Sequence, residues 1–239
     1  MITANRSSAL ILGLFLLLGL SSLGALLGKA ALDYKQLDRT VTVKGLSERE
    51  YPADVVIWPV SFAVASNDLE SLYTDLDRNA ALIRAFLAAN GIAEEEISYS
   101  PPTITDRQAQ QYGGDARAEF RYVASRTVTV YSEHIDTVRA VMNRLPELGK
   151  RGIVLTGGDY QYRTEYLFTR LNEVKPDMIE EATRNAREVA EKFAADSKSR
   201  LGKIRKAQQG QFSISDRDQN NPHIKKIRVV STVEYYLSD

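Results

Sequence analysis

Hydrophobic and polar positions follow three different rules along this chain. From Ser7 to Gly28 there is no alternation: 22 residues pass without a charge, between Arg6 and Lys29. Leu10, Ile11, Leu12, Leu14, Phe15, Leu16, Leu17, Leu18 and Leu20 fill its centre. As a helix rising ~1.5 Å per residue the run reaches roughly 33 Å, close to the ~30 Å hydrocarbon core of a bilayer. The run therefore predicts a transmembrane anchor. A cleaved signal peptide is the alternative, with Ala9–Leu20 as its apolar stretch. The run continues through Leu23, Leu26 and Leu27, and Ala-x-Ala is absent, which favours the uncleaved form.

The second rule is a period of two, the mark of strands. Thr40–Gly45 alternates. In Val55–Ser66, Val56, Trp58, Val60, Phe62 and Val64 share a face. Pro59 cannot donate to a ladder, so this strand is expected at an edge or with a bulge. Ile97–Thr105 is a weaker strand broken by Pro101-Pro102, and Glu119–Tyr131 a long one with Phe120, Tyr122, Val128 and Val130 on one side. Ile153–Leu155 precedes Gly157-Gly158, after which Tyr160, Tyr162, Thr164, Tyr166 and Phe168 resume the ladder. Lys203–Ile214 and Lys226–Leu237 close the chain, with Ile227, Val229, Val233, Tyr235 and Leu237 on one side.

The third rule is a spacing of three and four, which predicts three packed helices. The first is capped by Asn67 and buries Leu69, Leu72, Leu76, Ala80, Ile83 and Leu87, ending at Asn90-Gly91. A shorter one follows Ser132 and carries Ile135, Val138, Val141/Met142 and Leu145. The longest runs from about Val174 to Leu201, its stripe being Ile179, Ala182, Ala186, Val189/Ala190, Phe193, Ser197 and Leu201. The small residues predict close packing on a sheet or helix. The order is β-β-α-β-β-α-β-α-β-β, an α+β class with mainly antiparallel pairing. One sheet, or two lobes joined near residues 133–152, both fit this order. Asp106–Ala116, rich in Gln and Gly, and Asp216–His223 read as loops.

Composition narrows the picture. The chain of 239 residues has 31 basic and 31 acidic side chains. Only Arg6 and Lys29 precede Asp33, so the part beyond the run carries 29 bases against 31 acids, net −2. Such a balance gives no electrostatic footprint for nucleic acid. Zero cysteines remove thiolate chemistry, cysteine metal sites and the lipoprotein anchor, and fit an extracytoplasmic protein that folds without disulfides. The resulting organisation is residues 1–6 in the cytoplasm, 7–28 in the inner membrane, 29–39 as linker, and 40–239 as a periplasmic domain.

Several segments together resemble the SIMPL-domain family, including its YggE-like, membrane-tethered bacterial branch. They are Val41-Thr42-Val43-Lys44-Gly45 with Glu48-Arg49-Glu50 and Ala53-Asp54, the helix Ile179–Lys192 running into Ser199–Ile204, Gln209–Ile214, and Val229–Leu237. The resemblance spans about residues 40–237. It implies an α+β periplasmic domain, assembly into large homo-oligomers, and a role in envelope or oxidative-stress tolerance. It implies no enzyme activity, cofactor or catalytic residue.

The residues themselves offer few chemical candidates. His134 and His223 have no spacing that joins them. No G-x-S-x-G or dinucleotide loop occurs, and Asp216–Asn221 lacks the glycine and closing Glu of a calcium loop. No catalytic, cofactor or metal residue is therefore expected. Trp58, Tyr160, Tyr162, Tyr166, Tyr235 and Tyr236 are candidate self-association residues, because tyrosine and tryptophan bury area yet keep a polar tip. The partners expected are other copies of the chain and inner-membrane lipid. A periplasmic ligand-binding module using loop 106–116 as a lid, or an enzyme of unrecognised type, are the alternatives.

Overall fold

The computed structural model describes residues 6–37, 39–109, 119–157 and 163–238. Helix α1 (Arg6–Leu37) outruns the uncharged stretch and continues through most of the expected linker. Strand β1 (Thr40–Pro52) begins soon after. The chain then divides into two compact units. The first is Met1–Glu48, Lys175–Ser213 and Arg228–Asp239; the second is Arg49–Val174 and Ile214–Ile227. No boundary falls near 133–152. The chain changes unit within long elements, including β1, so no linker composition marks the crossings.

The second unit holds a six-stranded sheet. Its strands are β2 (Val55–Ser66), β3 (Ile97–Tyr99), β4 (Thr103–Asp106), β5 (Tyr122–Ser132), β6 (Val154–Leu155) and β7 (Glu165–Leu167). The order is β3-β5-β2-β6, with β4 also beside β5 and β7 beside β2. β2 and β5 pair antiparallel from Val56↔Ser132 to Ser66↔Tyr122. Pro59 thus lies in a central strand, not at an edge. On the other side of β2, β7 pairs with residues 55–57 and β6 with 62–63; among the described residues no strand partner stands opposite Pro59, whose nitrogen has no proton to donate. Val56, Trp58, Val60 and Phe62 are buried together, as their period requires. The buried hydroxyls of Ser61 and Thr127 face each other at 2.8 Å and satisfy one another.

Helix α2 (Leu69–Ala89) buries Leu72, Leu76, Ala80, Ile83, Phe86 and Leu87. Each of the larger side chains contributes about 1.5–3 kcal/mol by leaving water. Leu69, expected in that stripe, is exposed. Asp68, not Asn67, caps the helix, accepting from Ser71 N at 2.8 Å. Asn67 is engaged elsewhere: its Oδ1 accepts from Arg121 N at 2.8 Å, and its Nδ2 donates to Glu119 O. Gly91 follows the helix at φ +88°, a conformation that glycine adopts without steric cost. Helices α3 (Ile135–Met142) and α4 (Pro146–Lys150) replace the single short helix expected.

In the first unit, β8 (Arg200–Gln209) pairs antiparallel with β10 (Ile224–Ser238), and β1 lies on the other side of β10. A short β9 (Ser213–Asp216), which apart from Ser213 belongs to the second unit, also pairs with β10. Helix α5 (Leu171–Asp196) lays Ala182, Ala186, Ala190 and Ala194 against this sheet, all buried. Val189 and Phe193, expected in the same stripe, are on its flank, and Phe193 is 56% exposed. An alanine ridge at every fourth residue brings the helix so near that only small side chains fit beneath it.

The helix ends at Asp196, five residues before the expected limit. Lys198 takes φ 54°, and Ser199 N reaches back to Ala194 O at 2.8 Å. This left-handed cap is glycine's usual role. Replacing Lys198 with glycine is expected to stabilise the protein by about 1 kcal/mol, read as a raised urea midpoint at unchanged slope.

Candidate functional site

The second unit carries a cleft of about 340 Å³ whose lining includes both histidines of the chain, His134 and His223, with Glu133 and Asp136. Sequence spacing gave no reason to join them. The fold does so through two local devices. Ser132 Oγ donates to Glu96 Oε1 at 2.6 Å and accepts from His134 N at 2.9 Å, which fixes the entry to α3. On the other side, Ala53 N donates to His223 O at 2.8 Å, tying the turn before β10 to the end of β1.

The two imidazoles differ in setting. His134 Nδ1 is 3.3 Å from Glu96 Oε1, and its side chain is largely exposed. Burial raises the Glu96 carboxyl, but the Ser132 hydroxyl, Ala93 N–H and His134 together hold it below its ordinary value. His223 lies edge-on to Tyr166, with ring centroids 6.0 Å apart. Its pKa is lowered, first by burial and then by the charges of Arg139 and Arg217. A histidine with a depressed folded pKa penalises the native state when protonated. The penalty is present in full below the folded pKa and vanishes above the ordinary value near 6.5. His223→Asn is therefore expected to flatten the fall in stability as pH drops below about 6.5, seen by comparing urea midpoints of the two proteins across that range.

Among the described residues no three His, Asp or Glu side chains stand close enough to hold a metal ion. The acidic turn after β9 is closed on itself: Asp218 accepts from the backbone of Asn220 and Asn221, and Arg217 lowers its pKa. The cleft can offer a small polar molecule two imidazoles and two carboxylates.

The aromatic candidates separate. Trp58 and Tyr166 are interior side chains of the second unit, and Tyr235 is 2% exposed beneath α5. Burial raises the phenol pKa of both Tyr166 and Tyr235. Only Tyr236 is exposed among those described, at 39%, with the Arg205 guanidinium 5.9 Å from its ring. Tyr160 and Tyr162, and most of the loop 106–116, lie outside the described residues. The period-two pattern cannot say which side of a sheet is covered, so it could not separate interior tyrosines from surface ones.

β8 lies almost wholly open. From Arg200 to Gln209 only Leu201 is even half-buried. The segment RLGKIRKAQQ has no run of alternating apolar residues, and that missing face was the available signal. Far from this sheet in the chain, the anchor candidates Leu10 to Leu20 are exposed along α1. Leu10–Ala30 is 21 residues long with mean hydropathy 2.5, long and apolar enough to cross a membrane by length and composition.

No curated protein matches the chain. The family model described as "SIMPL: Protein of unknown function (DUF541)" matches residues 41–234. That match covers β1 through most of β10, both compact units and the cleft, and the chain belongs to the SIMPL family.

Proposed function

We propose that the protein is anchored in the inner membrane by α1 and holds its SIMPL domain in the periplasm, where copies assemble into a closed homo-oligomer. The observation that carries this reading is the apolar segment of α1. None of Leu10–Ala30 is covered by the other described residues. A surface of that length and hydropathy is stable only in lipid or against other copies. A span shared by every copy also orients the copies alike and raises their local concentration, which favours assembly. The role is architectural: a ring or cage on the membrane that encloses or excludes material. A part in envelope or oxidative-stress tolerance rests on the family likeness alone.

Native mass spectrometry of the full chain in detergent tests the reading. One large discrete species is expected, and a clean monomer over the accessible concentrations overturns it. The two-histidine cleft favours a second reading, a small-ligand module, which predicts ligand-dependent protection of residues 133–137 in hydrogen exchange.

A further inference from the structure

We propose that two copies of this chain pack face to face through the open side of the six-stranded sheet in the second unit, each giving the same surface. This rests on the assembly reading above and names one of its contacts. Helices α2, α3 and α4 pack on one side of that sheet, where Leu76, Val138 and Leu148 share a core with Trp58 of β2 and Val130 of β5. Alternate residues of the strands point the other way. There Ile57, Pro59 and Ala63 of β2 stand beside Tyr131, Thr129 and Ser125 of β5. None of the six is buried, and Tyr131 is 52% exposed. Farther out on the same side, Val154 of β6 is 63% exposed and Leu167 of β7 37%. At the centre the Ser61 and Thr127 hydroxyls bond each other, so a dry contact strands neither.

Charge identifies the occupant. Among the described residues paired on this side only Glu165 is charged, on β7 beside the end of β2. The first unit shows how the same chain builds a sheet face for water. There Lys44 of β1 and Arg228 of β10 alternate with buried Val43 and Val229, and Lys206 stands opposite Glu234. The second unit lacks that layer of charge. An uncharged surface meets its own copy without repulsion and without ions to strip of water. Such self-complementarity is what a two-fold contact demands. Small side chains such as Ala63 and Ser125 let two sheets approach to ~10 Å, the spacing of a sandwich. The size also fits. β5 has 11 residues, a length of about 37 Å, and the order β3-β5-β2-β6 is about 19 Å wide. That is roughly 700 Å² a side, against the ~800 Å² of a standard interface. Lipid is a poor occupant, since the serine and threonine hydroxyls on this side would lose water and gain no partner. Because the contact is two-fold, the assembly holds an even number of copies.

The chain has no cysteine, so a single introduced one reports alone. Thr129 lies opposite Pro59 near the middle of the face, and Thr74 is exposed on α2, on the helix side of the sheet. Full-length Thr129→Cys and Thr74→Cys variants are treated in membranes with a short bismaleimide. Thr129→Cys is expected to give the homodimer in high yield, and Thr74→Cys little. Thr129→Lys and Thr129→Glu each set like charges against one another across the contact. Either alone should raise the concentration needed for assembly at least about tenfold, and co-expressing the two should recover most of the loss. Unchanged far-ultraviolet circular dichroism shows that both variants fold. A Thr74→Cys homodimer equal to that of Thr129→Cys overturns the proposal, as does a Thr129→Cys product with a different protein in place of the homodimer. So does assembly indifferent to both charged variants. In each of these cases native mass spectrometry of the parent still shows the large species, so assembly stands while this contact falls; a parent monomer there removes both.

Discussion

Gly45→Ala is expected to destabilise the first unit by about 3 kcal/mol or more, the upper range of overpacking and beyond what surface changes produce. A Cβ built on Gly45 would lie 1.9 Å from Ala182 O and 2.4 Å from Ala186 N. Both atoms belong to helix backbone, so no rotamer change relieves the clash. Either α5 lifts from β1 or the strand bends. The core that would absorb the movement is small: Val43, Ala186, Ala190, Val233 and Tyr235 are its buried members. Lifting the helix exposes them and also pulls Asn185 from Leu46 O and Glu181 from Ser47 Oγ. The measurement is the urea midpoint by far-ultraviolet circular dichroism. Gly149→Ala is the control, since beyond its own helix and chain neighbours no atom of the described residues lies within 4 Å of its added carbon, and the site is in a helix. It should hold stability level or raise it by up to about 1 kcal/mol. Equal midpoints for Gly45→Ala and the parent would show that β1 and α5 do not meet as closely as the alanine ridge requires.

That ridge was half legible. Ala182, Ala186 and Ala190 stand out in the sequence as small residues at helical spacing, and close packing follows from them. What spacing could not fix was the width of the buried stripe. A helix seated on backbone buries one narrow row, so Val189 and Phe193 fall outside it although their hydrophobicity would place them within. Strands were legible wherever one face is covered: β2 keeps its period and lies buried, and so do Val128 and Val130 of β5, whereas Phe120, read on the same side, lies before the strand and is exposed. Pro59 pointed to an edge or a bulge, yet β2 has β5 on one side and β6 and β7 on the other, because a proline deprives a ladder of only the one bond its nitrogen cannot make. The cleft was illegible for a related reason. His134 and His223 are 89 residues apart, and they come to line one cleft in a fold where Ala53 N–H holds the turn that carries His223. Capping was misread by one residue since Asn67 and Asp68 are chemically equivalent caps, and the choice was made by Arg121, distant in sequence.

Removing residues 1–39 is expected to convert a membrane-pelleted protein into a soluble one. The full chain should resist carbonate extraction and require detergent, whereas residues 40–239 should remain in the supernatant. The argument is one of solvation. Leu, Ile and Phe each favour the bilayer centre by about 0.3–0.6 kcal/mol, and Leu10 to Leu20 is almost wholly made of them. The single charges at Arg6 and Lys29 sit at the ends of the run, where long side chains reach the headgroups. A lone Leu16→Arg change costs roughly 2.5–3.5 kcal/mol at the bilayer centre, which weakens insertion without abolishing it, so deletion is the decisive form of the test. Mass analysis of the membrane fraction separates an intact anchor from a cleaved signal, and a Lys44→Cys probe labelled by an impermeant maleimide in intact cells reports the side on which the domain lies. Deletion should act on assembly as well. Without the span the copies lose their shared orientation and the concentration that a surface imposes, so residues 40–239 should assemble only at higher total protein. If the shortened chain instead assembles at the same concentration as the full one, the proposed assembly is specified by residues 40–239 alone, and α1 serves only to hold them at the membrane.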